Sequence, residues 1–319
     1  MIQIHPFTTA DVEEAGQIAL KNYRTERERV PALPQMDSVP DLSAYVKNNL
    51  SVAAFDGGKM VGFLCSVPPY KNAFRSTDAV GMFSPMGAHG ATGKNRARVY
   101  ALMYEAAAHI WARAGITSHA VCLYTHDGEL QEQFFRYGFG IRCVDAIRGM
   151  DKIEARDLTG VDFLELKREE ISEILPLDHL LDEHMASSPT FILRPSETQE
   201  SFLEKANRSG ARFFTAQANG QITAFIKVER EGETFICDTP GYRHITGAFC
   251  LPEYRGKGVY QNLLNFAVTT LRAEGYTKLG VDFESFNPTA WGFWLKYFDA
   301  YTYGVVRRID EHAAYKLRC

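Results

Sequence analysis

Residues 92–138 align with residues 252–298 without a gap, so the chain repeats itself at an offset of 160 residues. Val99-Tyr100 matches Val259-Tyr260, Ala107 matches Ala267, and Gly115 matches Gly275. Thr117, Val121 and Tyr137 match Thr277, Val281 and Tyr297. Seven identities alone carry little. Both copies, however, show a long helical run, a glycine that ends it, a strand and a second helix in the same order. A repeat of this length sets the architecture of a whole chain. In 319 residues it predicts two domains of about 150 to 160 residues. We place the division at the polar run Asp151-Lys152-Ile153-Glu154-Ala155-Arg156-Asp157, giving domains 1–150 and 160–319.

Each half alternates strands with helices, which predicts an α/β fold with mixed sheets. In the first half, Ile2–His5 reads as a strand and Thr8-Thr9-Ala10-Asp11 as the cap of a helix. Residues 41–49 read as a second helix, and 51–55 with 60–67 as a hairpin across Asp56-Gly57-Gly58. The helix 99–114, strand 119–124, helix 130–137 and strand 141–147 follow. In the second half, 169–184 reads as helical with a break at Pro176, and Ser196 as the cap of the next helix. Residues 213–218 and 222–229 read as a hairpin across Asn219-Gly220, whose residues suit a type I′ turn.

The two copies differ where a strand hands over to the long helix. The second reads Pro252-Glu253-Tyr254-Arg255-Gly256-Lys257-Gly258-Val259-Tyr260; the first has Asn95-Arg96-Ala97-Arg98 in place of Arg255-Gly256-Lys257-Gly258. The first amides of a helix have no intrahelical acceptor, and the helix dipole makes that end positive. Two glycines let a ligand approach this backbone closely, which suits a phosphate or pyrophosphate. A second glycine-rich stretch, Gly87 to Asn95, lacks the spacing of a nucleotide P-loop, with Ala88 where its first glycine belongs.

The element order, with Arg255-x-x-Gly258 between a strand and a helix, resembles the GNAT superfamily of acyl-CoA-dependent N-acetyltransferases. The resemblance covers the chain as two tandem GNAT-like domains, the first degenerate. It implies acetyl-CoA as co-substrate, held on its pyrophosphate by the amides of Gly256, Lys257, Gly258, Val259 and Tyr260 and by the Arg255 charge. It implies that Leu251 offers its backbone to the pantetheine arm or acetyl carbonyl, and that Asn287 touches the cofactor. The family's usual tyrosine, the proton donor to the leaving thiolate, is replaced here by Trp294. Tyr297 is a substitute candidate, and a thiol of pKa ~8.5 leaves tolerably without an acid. The amine acceptor must lose a proton. His244, eleven residues before Arg255, lies where histone-acetylating members carry a glutamate base; Asp282 and Glu284, on one face of the next strand, are rivals. Asp178, Asp182 and Glu183, beside His184, fall where the family lines its acceptor site.

The resemblance therefore implies acetyl transfer from acetyl-CoA to a primary amine of a small molecule or peptide, by direct attack in a ternary complex. The alternative is a non-catalytic acyl-CoA-binding sensor, which Trp294 favours. A net charge of −4 gives no reason to expect nucleic acid or an anionic membrane as partner. The six cysteines form no CxxC pair and predict neither a disulfide framework nor a metal site. No basic segment followed by an apolar core opens the sequence, and no apolar run reaches bilayer length, so we expect a cytoplasmic protein, with an oligomer possible.

Overall fold

The computed structural model describes residues 1–195 and 197–318, with Arg318 described by its backbone alone. In chain order the first half holds β1 (Gln3–Pro6), α1 (Val12–Arg29), β2 (Val52–Asp56), β3 (Lys59–Leu64), β4 (Tyr70–Lys71), β5 (Val80–Ser84), β6 (His89–Ala91), α2 (Arg96–Arg113), β7 (Ser118–Tyr124), α3 (Gly128–Arg136) and β8 (Gly140–Gly149). The second half holds β9 (Val161–Glu165), α4 (Leu175–Ala186), α5 (Gln199–Ser209), β10 (Arg212–Ala218), β11 (Gln221–Glu229), β12 (Tyr242–Cys250), α6 (Val259–Ala273), β13 (Lys278–Glu284), α7 (Pro288–Trp294), β14 (Asp299–Arg308) and α8 (Glu311–Arg318).

The repeat is visible residue by residue. Strands β7 and β13 are offset by 160 residues at both ends, and α3 and α7 start at the same offset. Gly115 and Gly275 follow the long helices with φ of 78° and 93°, the left-handed geometry that glycine adopts without steric cost. The long helices themselves start differently. Helix α2 begins at Arg96, whereas Gly256 and Gly258, at φ 73° and 90°, delay α6 until Val259.

Contacts divide the chain into two compact units, Met1–Val144 with Ala300–Cys319, and Asp145–Asp299. The division expected near 150–160 puts residues 300–318 in the second unit; by contacts they lie in the first. Strand β14 runs antiparallel to β7, from Thr302 opposite Tyr124 to Arg308 opposite Ser118. Every residue of β7 is buried, as expected of a strand covered on both faces. Strands β1, β2, β3 and β6 form an antiparallel sheet in that order. Val99, Met103, Ala107 and Trp111 of α2 pack in the core with Val52, Leu64, Val121 and Leu123.

The second unit has strands in the order β13-β12-β11-β10-β9. Asn219 and Gly220, at φ 52° and 74°, make the turn between β10 and β11. Leu263, Leu264, Ala267 and Leu271 of α6 are fully buried, and α6 packs on β10 and β11. Leu175, Leu177 and Leu181 of α4 pack with Phe213, Phe225 and Phe249. Strand β12 stays paired with β11 from His244 to Cys250, but its parallel pairing with β13 covers only Tyr242–Ile245. The two strands therefore part beyond Ile245, and Ala248–Cys250 present an edge with no β13 partner in the register.

Three local expectations change. Residues 41–49 hold only a 3₁₀ turn, Ser43–Val46, because Asp41 and Asn48 accept from the amides of Ser43 and Leu50 and compete with a helix. Pro176 does not break a helix; it lies in the first turn of α4, where its missing N–H costs nothing, after a 3₁₀ segment at Arg168–Ile174. The cap expected at Ser196 lies outside the described residues, and Thr198 caps α5 by accepting from Ser201 at 3.2 Å.

Candidate functional site

The gap between β12 and β13 opens into a cavity of about 550 Å³ lying wholly within the second unit. Its floor is the start of α6. Gly258 occupies the cap position, lines the cavity and has no side chain, and the first amides of the helix have no intrahelical acceptors. Gly256, Gly258 and Tyr260 line the floor, Ala248, Phe249 and Cys250 one wall, and Asn287, Thr289 and Ala290 the other. The charged groups of the lining are Arg156, Arg255 and Lys296, with His184 the remaining titratable base and no carboxylate among them. In a chain of net charge −4 this is a local concentration of positive potential suited to an anion.

Each wall is fixed by its own bonds. Arg255 donates from Nε to the Cys250 carbonyl at 2.8 Å, and its guanidinium lies 5.4 Å from the Phe249 ring centroid. The Tyr260 hydroxyl donates to the Phe225 carbonyl at 3.2 Å, and its ring packs edge-on to Phe293 and Trp294. Asn287 caps α7, accepting from the amides of Thr289 and Ala290 at 3.2 and 3.4 Å. His184, from α4, brings Nε2 to 3.4 Å from both Asn287 Oδ1 and Thr289 Oγ1. Trp294 is buried, and Tyr297 lines the cavity close enough to Arg156 to feel its charge.

Of the residues singled out from the sequence, Arg255, Gly256, Gly258, Tyr260, Asn287 and Tyr297 line the cavity. Lys257 is exposed and Val259 is buried in the core beneath it. Leu251 is not in the lining; its amide donates to the Thr223 carbonyl at 2.9 Å, and its carbonyl accepts from Tyr254 at 2.9 Å.

His244 and Glu284 lie outside the lining as well. His244 is 1% exposed and both its ring nitrogens are engaged, Nδ1 with the Tyr242 hydroxyl at 2.7 Å and Nε2 with Asp282 Oδ1 at 2.6 Å. A Cβ on Gly280 would meet the Tyr242 hydroxyl at 1.7 Å, and one on Gly232 would meet His244 Nδ1 at 2.8 Å, so two glycines make room for this pair. Burial alone would lower the His244 pKa, but the Asp282 hydrogen bond and charge, with Cys237, outweigh it and hold the imidazole up to about 10. Asp282 and Glu284 stand where β13 has left β12. Glu233 is exposed on the loop after β11, and desolvation of its carboxyl with the charges of Asp282, Asp145 and Glu284 raises its pKa.

The match to known proteins is consistent with this geometry. Residues 177–299 match the model of the Acetyltransferase (GNAT) family. This segment is similar to GNAT acetyltransferase domains. A GCN5-related N-acetyltransferase from Sphaerobacter thermophilus overlays with a TM-score of 0.57 at 12% identity, covering 96% of this chain and 95% of that one. The GNAT fold therefore runs through both units. A GCN5-related glucosamine N-acetyltransferase region of a fungal multi-domain β-N-acetylglucosaminidase overlays at 0.49 and 12% identity, over 96% of this chain and 38% of that one. A tandem GNAT protein from the clavulanic acid biosynthesis pathway overlays at 0.45 and 13% identity, over 96% and 97%. No curated protein matches the chain in sequence.

The corresponding place in the first GNAT-like unit is filled by the chain itself. Arg96, at the position of Gly256, pairs with Asp127, at the position of Asn287, and also donates to Asn22 at 3.0 Å. Asp127 in turn caps α3. A guanidinium and a carboxylate thus occupy the start of α2, where the second unit has open backbone.

Arg156, Lys296 and Glu233 were not singled out for the site from sequence. Arg156 belongs to a segment that reads as a linker, Lys296 to the turn after α7, and Glu233 to a loop; none carries a local pattern. His184 had a signal in its acidic surroundings, none of which lines the cavity; Asp182 pairs with Arg194 at 3.2 Å.

Proposed function

We propose that the second unit binds acetyl-CoA in this cavity and transfers its acetyl group to a primary amine in a ternary complex. One observation carries the reading: a cavity floored by the open amides of α6 and lined by Arg156, Arg255 and Lys296 without a carboxylate, at the point where β12 and β13 separate. The residues fit the cofactor, since the glycine cradle leaves space and donors for its phosphates and the apolar wall of Phe249, Phe293 and Trp294 suits an uncharged arm. Bound there, acetyl-CoA supplies an activated acyl group.

The chain's own residues divide the remaining work. Gly256, Gly258 and Tyr260 hold phosphate through backbone amides, and Arg255 is fixed against Phe249 beside them. Asn287 orders the opposite wall. The carboxylates Asp282, Glu284 and Glu233 gather beyond the parted strands, where they attract a cationic amine and take its proton; a carboxylate raised by its acidic neighbours suits that task. His244 serves as the buried partner that fixes Asp282, since neither of its nitrogens is free to accept. Tyr297 belongs to the phosphate side of the cavity, by Arg156. The first unit, with Arg96 and Asp127 in place of a cradle, is a scaffold without a cofactor.

The test is thiol release from acetyl-CoA with a panel of polyamines, amino acids, amino sugars and peptides, in the unchanged protein and in Gly256→Arg/Gly258→Arg. Release that depends on one class of amine and vanishes in the double variant supports the transferase. Tight binding with no release for any amine supports the sensor reading, which buried Trp294 and sequestered His244 favour. Binding that survives the double variant contradicts both.

A further inference from the structure

The segment before the family-matched domain is tied to the cavity. Three amide side chains on one face of α6 hold it: Asn265 accepts from the Ile153 amide at 3.0 Å, Gln261 donates to the Glu154 carbonyl at 2.6 Å, and Asn262 clasps Arg156 from both sides. Asn262 Oδ1 accepts from the Arg156 amide at 2.9 Å, and its Nδ2 donates to the Arg156 carbonyl at 2.8 Å. The residue's direction is therefore set by its backbone. Its stem lies over the cradle, where a Cβ on Gly258 would meet Arg156 Cδ at 2.7 Å and Cβ and Cγ at 3.3 Å. Gly258 is glycine on two grounds, its φ of 90° and this stem. Among the described residues the Arg156 guanidinium has no hydrogen-bond or ion-pair partner, although it lines the cavity. Arg255, the cation that belongs to the glycine motif, has already given its Nε to Cys250.

We propose that Arg156 is a phosphate-binding residue of the cofactor site, delivered by the strap Ile153–Arg156 from outside the matched domain. This rests on the acyl-CoA reading above. A planar guanidinium with five donors suits a phosphate oxygen pair. Held in front of α6, it closes over an anion that the backbone amides grip from below. The strap is then part of the binding site, and Asn262 is the positioning residue that holds it.

The test measures binding of CoA, dephospho-CoA and 4′-phosphopantetheine by calorimetry, with melting temperature recorded without ligand. Arg156→Gln keeps the stem, removes the charge, and leaves the melting temperature unchanged because the side chain is exposed. It is expected to weaken CoA about tenfold to a hundredfold, the loss of one charge-assisted contact, and to make the remaining affinity less sensitive to salt. Arg156→Lys recovers part of the loss. Asn262→Asp, which exchanges the donor to the Arg156 carbonyl for an acceptor, weakens CoA in the same direction. A loss that persists with dephospho-CoA but not with 4′-phosphopantetheine assigns the contact to the pyrophosphate; one confined to CoA assigns it to the 3′-phosphate. Equal affinity of Arg156→Gln and the unchanged protein for all three ligands overturns the proposal and leaves the acyl-CoA reading intact. No binding by the unchanged protein removes both.

Discussion

Replacing Asp282 by Asn tests the claim that His244 is held charged inside the second unit. The imidazole is 1% exposed and is bonded to Tyr242 at 2.7 Å and Asp282 at 2.6 Å. Its folded pKa of about 10 lies above the unfolded value of ~6.5. The group therefore contributes stability that is fully present below pH ~6.5 and is lost as pH rises through about 10. At about 1.4 kcal/mol per unit the full shift corresponds to roughly 5 kcal/mol. The Asp282 side chain is 29% exposed, and solvent screening reduces the contribution to roughly 2–3 kcal/mol. Asp282→Asn should thus cost ~2–3 kcal/mol at pH 7, and lower the melting temperature by roughly 5–10 °C. Urea titrations from pH 6 to 10 give a second signature. The unchanged protein loses stability above neutrality, whereas the variant, whose buried His244 is neutral while the unfolded imidazole still takes up a proton near pH 6, gains roughly 0.8 kcal/mol between pH ~6 and ~7.5 and is flat above that. The two curves converge near pH 10. Equal stability at pH 7, or curves that run parallel to pH 10, would refute the charged pair.

Other substitutions probe the same framework. Gly280→Ala puts a Cβ 1.7 Å from the Tyr242 hydroxyl and should cost ~2–3 kcal/mol in urea unfolding, since the crowding atom is held by His244. Gly16→Ala, in α1 with nothing within 4 Å of the added carbon, should instead stabilise by ~0.5–1 kcal/mol. Arg96→Ala leaves Asp127 without its cation and should cost ~1 kcal/mol, without creating an acetyl-CoA site in the first unit, because α2 lacks the two left-handed glycines.

The scaffold was legible because it is written in local signals. The repeat fixed the offset of β7 and β13 at both ends, and Asn219-Gly220 marked its hairpin. The glycines at 256 and 258 marked the cradle, since only left-handed backbone before a helix explains them in that place. The pairing of β14 with β7 was not legible, because β14 carries the same apolar pattern whichever unit it joins. The offset that makes His244 a candidate base says nothing about what surrounds it; Tyr242, Asp282, Gly232 and Gly280 close on it only in three dimensions. Arg156 escaped for the opposite reason. Its run is polar enough to read as a linker, and the three amides that strap it down are spaced along a helix that reads as ordinary surface.

Each chain should carry one acyl-CoA site, at the start of α6. Titration calorimetry of the full chain with acetyl-CoA tests it most directly. We expect a stoichiometry of one per chain, with binding abolished by Gly256→Arg/Gly258→Arg and retained in Arg96→Ala. A stoichiometry of two per chain, or no binding at all, would contradict it.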